Sequence, residues 1–233
     1  MRRKVWQGLA AAFVVGALIA PTASAQSKYL GGGTTGLGFD IAALALDGGS
    51  GFGGSAGFSV AGVLDLGLGV KRYSFDEQAG AVDVAAVGIV PSAGLTIRPK
   101  NGLLPIGLTL NVSYEWVTFT DDFLDDLQID MTGSFVSIGG GIWGQMRLSS
   151  MFDLYPTVNV SHRESILETT DPLGNGLSSE ETGTEVAVTP ALGLSLGPVS
   201  ILSLNPTVTV SDARSPTYEV SVGIALPIFK LPG

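Results

Sequence analysis

The sequence predicts an all-β fold, an antiparallel up-and-down transmembrane β-barrel of ten strands, with eight strands as the alternative. Apolar and polar residues alternate with a period of two along most of the chain after residue 26, which is the pattern of strands with one apolar face. The polar face holds mostly Gly, Ser, Thr and Asn, whereas a face washed by solvent takes more charge. Several runs reach about 11–14 residues, against about 5–6 in globular strands. A soluble β-sandwich, whose apolar face points inward, is the competing architecture.

The clearest strand covers 106–116, where every even position from Ile106 to Trp116 is large and apolar or aromatic. The odd positions hold Gly, Thr, Asn, Ser and Glu, so the two faces of this strand differ strongly in polarity. The same alternation is found in 58–70, 136–148, 154–160, 186–196, 204–210 and 218–228. Pro156, Pro190 and Pro206 fall within these runs, and each removes one donor from a ladder of hydrogen bonds.

Connections between strands are predicted at 47–54, 62–65, 74–80, 99–105, 120–132, 149–151, 163–183, 198–202 and 212–217. Every second connection, beginning with 62–65, is short, and the others include the long ones at 120–132 and 163–183. Bacterial transmembrane barrels have short periplasmic turns and longer extracellular loops, so both termini are expected in the periplasm. The eight-strand alternative arises because 58–73 keeps one parity throughout, while a parity change within 82–97, near Pro91, predicts a β-bulge.

Aromatic residues lie near the ends of the predicted strands, as in the girdles that flank the apolar band of a membrane barrel. One end holds Tyr73, Trp116, Phe119, Phe135 and Tyr218, and the other holds Phe152 and Phe229. The sequence therefore predicts two interfacial girdles.

Residues 1–25 have the three parts of a secretory signal peptide. Arg2, Arg3 and Lys4 give a positive start, an apolar core follows at 9–20, and Ala23-Ser24-Ala25 forms a small-residue cleavage site. A transmembrane anchor is disfavoured because the core is shorter than the roughly 20 residues needed to span a bilayer. The barrel domain is therefore predicted to cover 26–233.

Composition excludes several functional classes. The chain has 233 residues, of which 33 are Gly, and this content disfavours a mainly helical protein. There is no Cys and one His, which excludes a disulfide framework and multi-His metal sites. The 21 acidic residues outnumber the 12 basic ones, three of which lie in the signal peptide. This balance disfavours nucleic acid as a partner.

The segment 221–228 reads polar-x-Gly-x-x-apolar-x-apolar, with Ser221, Gly223, Leu226 and Ile228 at the marked positions. It resembles the C-terminal β-signal of bacterial outer-membrane proteins. With the signal peptide and the strands, the chain resembles the small outer-membrane β-barrel proteins, the OmpA-type transmembrane domain and its porin-like relatives. The resemblance implies location in the bacterial outer membrane, contact with outer-membrane lipid, and recognition of the last strand by the barrel-insertion machinery.

Enzymes among such barrels use a His with Asp, Ser or Glu near the outer rim, and here only His162 is available. Its neighbour Ser161 points to the opposite face of the same strand, so the two side chains cannot pair. We therefore predict no catalytic site. Two acidic clusters invite comparison with calcium sites, but their spacing fits no EF-hand and predicts solvated loops. They comprise Asp121, Asp122, Asp125, Asp126 and Asp130, and Glu164, Glu168, Asp171, Glu180 and Glu181. No cofactor or metal is predicted.

Charged residues with lumen-facing parity are the candidate functional residues. They are Asp40, Lys71, Glu115, Arg147, Asp153, Arg163, Glu185 and Glu219. Folding the hairpins is expected to bring Arg147 opposite Asp153 and Arg163 opposite Glu185, the second pair at an exposed rim. Such charges either close the lumen as a ladder of ion pairs or line a selective pore. A barrel of about eight to ten strands is narrow enough for side chains to fill, which favours a filled or narrow lumen.

The sequence thus predicts an outer-membrane barrel that is structural or a narrow, non-specific porin-like channel. A barrel enzyme acting at the extracellular rim and a secreted β-sandwich binding module are the alternatives.

The exported protein is expected to lack residues 1–25 because of the cleavage site at Ala23-Ser24-Ala25. Intact-mass measurement of the protein extracted from membranes checks this. A mass that includes Met1 would contradict the prediction.

Overall fold

The structure is a computed structural model that describes residues 26–30, 32–75, 84–98, 106–120, 124, 126, 128–196 and 201–230. A short helix, α1 (Gln26–Leu30), precedes the strands. These are β1 (Thr34–Leu46), β2 (Gly49–Val60), β3 (Leu64–Phe75), β4 (Val84–Ile97), β5 (Ile106–Thr120), β6 (Asp130–Gly144), β7 (Met146–Arg147), β8 (Phe152–Thr170), β9 (Gly176–Ser195), β10 (Ile201–Ser211) and β11 (Thr217–Lys230). Within the described ranges, no helix is long and apolar enough to cross a membrane.

The strands close into one antiparallel barrel. Neighbours in the chain pair with each other, β1 pairs with β11, and β6 pairs with β8. The two-residue β7 continues β6 after a break at Gln145. Counted together as one, they give the described chain ten strands around the barrel. The prediction of a ten-stranded barrel is confirmed, and the eight-strand and sandwich alternatives are wrong. β1 begins and β11 ends at the end of the barrel that carries the turns 61–63 and 148–151, which we call the inner end; the opposite end is the outer end.

The barrel is apolar outside and partly polar inside. Leu110 and Ile138 point outward and are 52% and 61% exposed. Glu115 and Ser137 lie on the same two strands but point inward, and each is 3% exposed. This distribution is the reverse of a soluble sandwich and matches a barrel whose outer face meets lipid. The period-two pattern therefore predicted the facing of these strands.

Of the first two connections, the Gly-rich one predicted at 47–54 differs from the prediction and the tight one predicted at 62–65 agrees with it. The segment 49–54 belongs to β2, and the first connection is only Asp47-Gly48, where Gly48 has φ 76°. Glycine takes this left-handed conformation without steric cost. A second tight turn, with Ala61 at φ 56° and Gly62 at φ 63°, divides 58–73 into β2 and β3. This turn confirms the tight connection predicted at 62–65. The single parity of 58–73 persists because a turn of three residues preserves it.

The predicted long loop at 163–183 is instead a long hairpin. The β8–β9 ladder runs without interruption to the pair Thr170 and Gly176, which leaves a turn at 171–175. Asp171 organises this turn, because its Oδ1 accepts hydrogen bonds from the backbone N–H of Leu173 and Asn175 at 2.9 and 2.8 Å. Hydrogen bonds from Asn175 hold the pKa of Asp171 below its usual value. Most of the second acidic cluster thus lies on strands.

The remaining connections are partly described. The turn at 149–151 is confirmed, and Asp130 belongs to β6 instead of the loop 120–132. The predicted connections 99–105 and 198–202 lie largely outside the described residues, as do Asp121, Asp122 and Asp125.

The structure corrects the expected position of the β-bulge and shows where the prolines interrupt strand pairing. Pro91 causes no bulge, since the β3–β4 ladder keeps one register from Leu64 to Phe75. The register shift lies instead in β1, between Thr35 and Gly36. Pro156 faces Pro190 across the β8–β9 ladder. The β9–β10 pairs are interrupted between Leu192–Leu204 and Val188–Val208, where Pro190 and Pro206 lie. The missing donors thus fall in one row of the sheet.

The girdle prediction is half correct. Trp116 and Tyr218 are each 57% exposed on the outer face near the outer end, and Phe152 and Phe229 are exposed near the inner end. Three other predicted members, Tyr73, Phe119 and Phe135, are buried inside the barrel. The reason is parity, because each of them shares its face with lumen-facing neighbours on its strand.

We expect Leu110→Arg to destabilise the barrel by about 2 kcal/mol or more relative to Asn111→Arg. Leu110 faces outward within the apolar band, where Arg costs about 2–4 kcal/mol at the bilayer midplane. Asn111 faces the lumen, where a charge can be hydrated. Urea unfolding from lipid vesicles measures both variants. Equal losses of stability would contradict the facing of β5.

Candidate functional site

The lumen is the candidate site, and side chains fill it in three layers. An outer apolar cluster lies toward the outer end, an inner aromatic cluster closes the inner end, and a charged layer lies between them. Each layer is built from inward-facing residues of several strands, because alternate residues of a strand share one face.

The outer cluster combines strand residues with the connection between β5 and β6. Tyr73 and Phe75 of β3 stack with ring centroids 6.3 Å apart. Leu124, which lies outside the strands, is buried in the same cluster. The full cluster is Leu44, Tyr73, Phe75, Ala86, Val117, Phe119, Leu124, Met131, Phe135 and Leu167, with Leu46 and Ile129 packed against it.

The inner cluster depends on α1, which lies inside the barrel mouth. Tyr29 packs edge-on against Tyr155 of β8 with ring centroids 5.0 Å apart, and its hydroxyl donates a hydrogen bond to Asn205 Oδ1 of β10. Trp143, Ala191 and Ala225 complete the cluster, with Leu30 and Ile201 packed against it. A helix of five residues thus lies inside the lumen and contacts strands on both sides of it.

Lys28 of α1 is a buried cation at this inner closure. Its Nζ lies 3.5 Å from Thr157 Oγ1 and 4.9 Å from the ring centroid of Tyr29. Neither partner is an anion, so burial lowers the pKa of Lys28 to about 8.

The charged layer is centred on Arg163 of β8. Its guanidinium nitrogens lie 3.9 Å from Glu115 Oε2 and 3.8 Å from Glu185 Oε1, and all three side chains are buried. Glu185 has a closer partner in Arg214, whose Nη2 lies 2.5 Å from Oε1. Glu115 accepts a hydrogen bond of 2.5 Å from the Tyr73 hydroxyl. Arg163 therefore contacts two carboxylates, each of which also has a closer partner.

Several nitrogens of this layer lack a hydrogen-bond partner among the described residues. They are Lys71 Nζ, the three guanidinium nitrogens of Arg163, and Nε and Nη1 of Arg214. Buried polar atoms are paired with protein or with ordered water in most structures. We therefore expect water in this layer, between the two apolar clusters.

Glycines make room for the inward side chains. A Cβ on Gly88 would lie 2.6 Å from Glu115 Oε1, and one on Gly53 would lie 2.9 Å from Lys71 Cγ. At the inner end, Trp143 lies across Gly107 so closely that a Cβ there would overlap the indole ring. Part of the high glycine content therefore serves the packing of large side chains inside a narrow barrel.

Other charges with lumen parity lie apart from Arg163. Asp40 accepts a hydrogen bond of 2.5 Å from Ser55 Oγ, and Glu219 lies half-buried on β11. Arg147 lies directly opposite Asp153 in the β7–β8 ladder, but it is exposed and donates to the carbonyl of Ser149.

The second expected pair differs from its prediction in geometry. Arg163 lies opposite Gly183, and Glu185 lies opposite Ser161, so the ion pair of Arg163 with Glu185 is diagonal. The pair is also buried and not at an exposed rim, because β8 and β9 continue well beyond it.

Sequence reasoning missed three contributors to the lumen. Arg214 lies in a turn and carries no periodic signal, and neither do Lys28 and Tyr29 in α1. The outer cluster could have been found, because Tyr73, Phe119 and Phe135 have lumen parity. His162 is exposed on the outer face, away from the charged layer. Among the described residues, no group of three or more His, Asp or Glu is arranged to hold a metal ion.

Comparison with solved structures places the fold among outer-membrane barrels. The chain matches the translocator domain of the autotransporter NalP from Neisseria meningitidis with a TM-score of 0.52 and 14% identity, covering 87% of this chain and 92% of that one. It also matches Ail, the attachment invasion locus protein of Yersinia pestis, with a TM-score of 0.36, 12% identity, and 85% and 100% coverage. No protein-family model and no curated protein matches the sequence. The predicted resemblance to small outer-membrane barrels is confirmed at the level of fold.

The free energy of unfolding should rise with pH between about 8 and 10.5 through Lys28. Its pKa is about 8 in the folded barrel against an ordinary value of 10.5, so the folded state binds this proton more weakly than the unfolded state. Stability therefore increases as Lys28 deprotonates, by on the order of 3 kcal/mol at most. Lys28→Met lacks this component, so the stability difference between wild type and variant should change across that window. Parallel pH profiles would contradict a buried Lys28.

Proposed function

We propose that this protein is a structural β-barrel of the bacterial outer membrane with a closed lumen and no catalytic activity. The observation that carries the proposal is that two clusters of apolar side chains, the outer and the inner cluster, are buried inside the barrel at two levels. The proposal includes export by cleavage of residues 1–25 and recognition of β11 by the barrel-insertion machinery. The β11 positions Ser221, Gly223, Leu226 and Ile228 would carry that recognition.

The membrane location is supported by the outer face of the barrel. Exposed apolar side chains cover this face on neighbouring strands, with Trp116 and Tyr218 near its outer edge. A soluble protein rarely exposes so continuous an apolar surface. The fold shared with outer-membrane barrels agrees with this location.

The closed lumen is supported by the cost of moving an ion through apolar layers. An ion that passes Tyr73, Phe75 and Phe119 would lose its hydration without finding polar partners, and hydrophobic constrictions exclude ions in this way. At the inner end it would also have to pass α1.

A narrow channel is the second candidate, favoured by the charged layer. The nitrogens of Lys71 and Arg163 that lack a hydrogen-bond partner among the described residues fit a hydrated interior, and movement of both clusters would turn this layer into the lining of a pore. Catalysis finds no such support, because His162 lies on the outer face, whereas Ser161 faces inward.

Wild-type protein in planar bilayers is expected to show no conductance steps. As the positive control, a variant with Tyr29→Ala and Trp143→Ala at the inner end and Phe75→Ala and Phe119→Ala at the outer end should conduct, because it removes both barriers. Steady conductance by the wild type would reject the closed barrel and favour the channel.

In a conducting protein, Glu185→Lys should shift the reversal potential under a salt gradient toward anion selectivity. A charge at a constriction sets the sign of the ion that passes, and Glu185 lies in the charged layer. Asp171→Lys, at the tip of the hairpin, is the matched control. An unchanged potential would remove Glu185 from the pathway.

A further inference from the structure

The outer part of β9 is an edge strand. The last residue pair between β9 and β10 joins Glu185 to Ser211, whereas the β8–β9 ladder continues to Gly176. β6 covers β8 as far as Thr170. In the described part of the chain, residues 176–183 of β9 therefore pair with β8 on one side and with no strand on the other.

The direction of the backbone groups on this edge follows from the last contact with the neighbouring turn. Thr184 donates its N–H to Asp212 Oδ1 at 2.8 Å, and its carbonyl accepts from Asp212 N at 3.2 Å. Both Thr184 groups thus point away from β8. In contrast, the Glu181 carbonyl accepts a hydrogen bond of 3.0 Å from Ser165 Oγ of β8.

Backbone groups of alternate residues in a strand point to the same side. The N–H and C=O groups on the open side therefore belong to Ser178, Glu180 and Thr182. We call these three residues the free edge. A row of such groups is a template for another strand.

The surroundings of the free edge are acidic. The segment 164–184 contains five acidic residues and no Lys or Arg. Glu180 points to the outer face and its neighbour Glu181 to the opposite face, so an added strand would meet a carboxylate on each side. On the outer face, Glu164 lies opposite Thr182, and Glu168 lies opposite Ser178.

We propose that the free edge of β9 docks an extended, Lys- or Arg-rich polypeptide segment, which adds to the sheet as a further strand. Backbone hydrogen bonds from the free edge supply the pairing, and adjacent basic side chains of the partner meet Glu180 and Glu181. A second copy of this chain fits less well, because pairing two such edges sets like charges against each other, which is destabilising.

The test uses the full barrel in detergent micelles and a labelled peptide of eight residues, with two adjacent lysines between Thr and Val. Fluorescence anisotropy measures binding, and hydrogen exchange measures protection of the amides of Ser178, Glu180 and Thr182. The matched control peptide has the same sequence and charge but is N-methylated at every residue, so it has no backbone N–H to donate and its methyl groups obstruct strand pairing. Saturable binding of the first peptide, protection of these amides, and loss of binding by the control are expected.

Thr182→Pro removes one N–H of the free edge and leaves every charge in place, and an edge strand tolerates proline. It should weaken binding about fivefold, the effect of losing about one hydrogen bond. Glu180→Gln should also weaken binding and reduce its dependence on salt.

Three outcomes would overturn the proposal. The first is absence of binding to the wild type. The second is equal binding of both peptides together with an unchanged affinity in Thr182→Pro, which would mean charge attraction without strand addition. The third is a stable dimer through β9 in light scattering, which would assign the edge to a second copy.

Discussion

The pairing of β1 with β11 removes the two edges that the sheet would otherwise present to lipid. In the hydrocarbon core of the bilayer, each unpaired backbone N–H or C=O group costs several kcal/mol. A strand in this region must therefore pair with a neighbour on both sides. The same seam also places α1. The register shift between Thr35 and Gly36 lies at the start of β1, and a Cβ on Gly36 would lie 2.9 Å from Leu30 Cδ1. Closure of the ring and closure of its inner end therefore depend on one stretch of chain.

Closing the ring creates a lumen that has to be filled as a protein core is filled. The apolar clusters contribute burial, which stabilises in proportion to the area removed from water. The charged layer contributes less, because desolvation offsets much of the attraction between buried ions. Its importance is in arrangement, since Arg163 connects Glu115 of β5 with Glu185 of β9. The apolar clusters thus contribute most of the stability of the lumen, and the charged layer contributes mainly to the arrangement of its side chains.

The strand faces could be predicted because lipid outside and a narrow lumen inside impose opposite demands on alternate residues. Where the two faces of a strand differ little in polarity, the strand was not predicted correctly. β2 alternates Gly with small residues and resembles a loop, and β8 and β9 carry polar residues on both faces beyond the membrane. Tyr73 was misplaced because an aromatic residue near a strand end suits both a girdle and a plug. No sequence pattern predicts α1 inside the barrel, because Tyr29 and Tyr155 are brought together only by closure.

A strand edge with unpaired backbone groups is costly inside the bilayer but is tolerated in water. The point at which a strand loses one neighbour therefore indicates the outer boundary of the hydrocarbon region. β9 is paired on both sides at Glu185, with β8 and with β10, whereas the free edge begins just beyond it. Outward-facing Arg72 and Glu164 are exposed near the outer end, where charges need water, and Trp116 and Tyr218 mark the interface. These observations set the membrane boundary between the charged layer and the end of the β8–β9 hairpin. Beyond that boundary the hairpin no longer needs a second neighbour, so its open side is left for a partner.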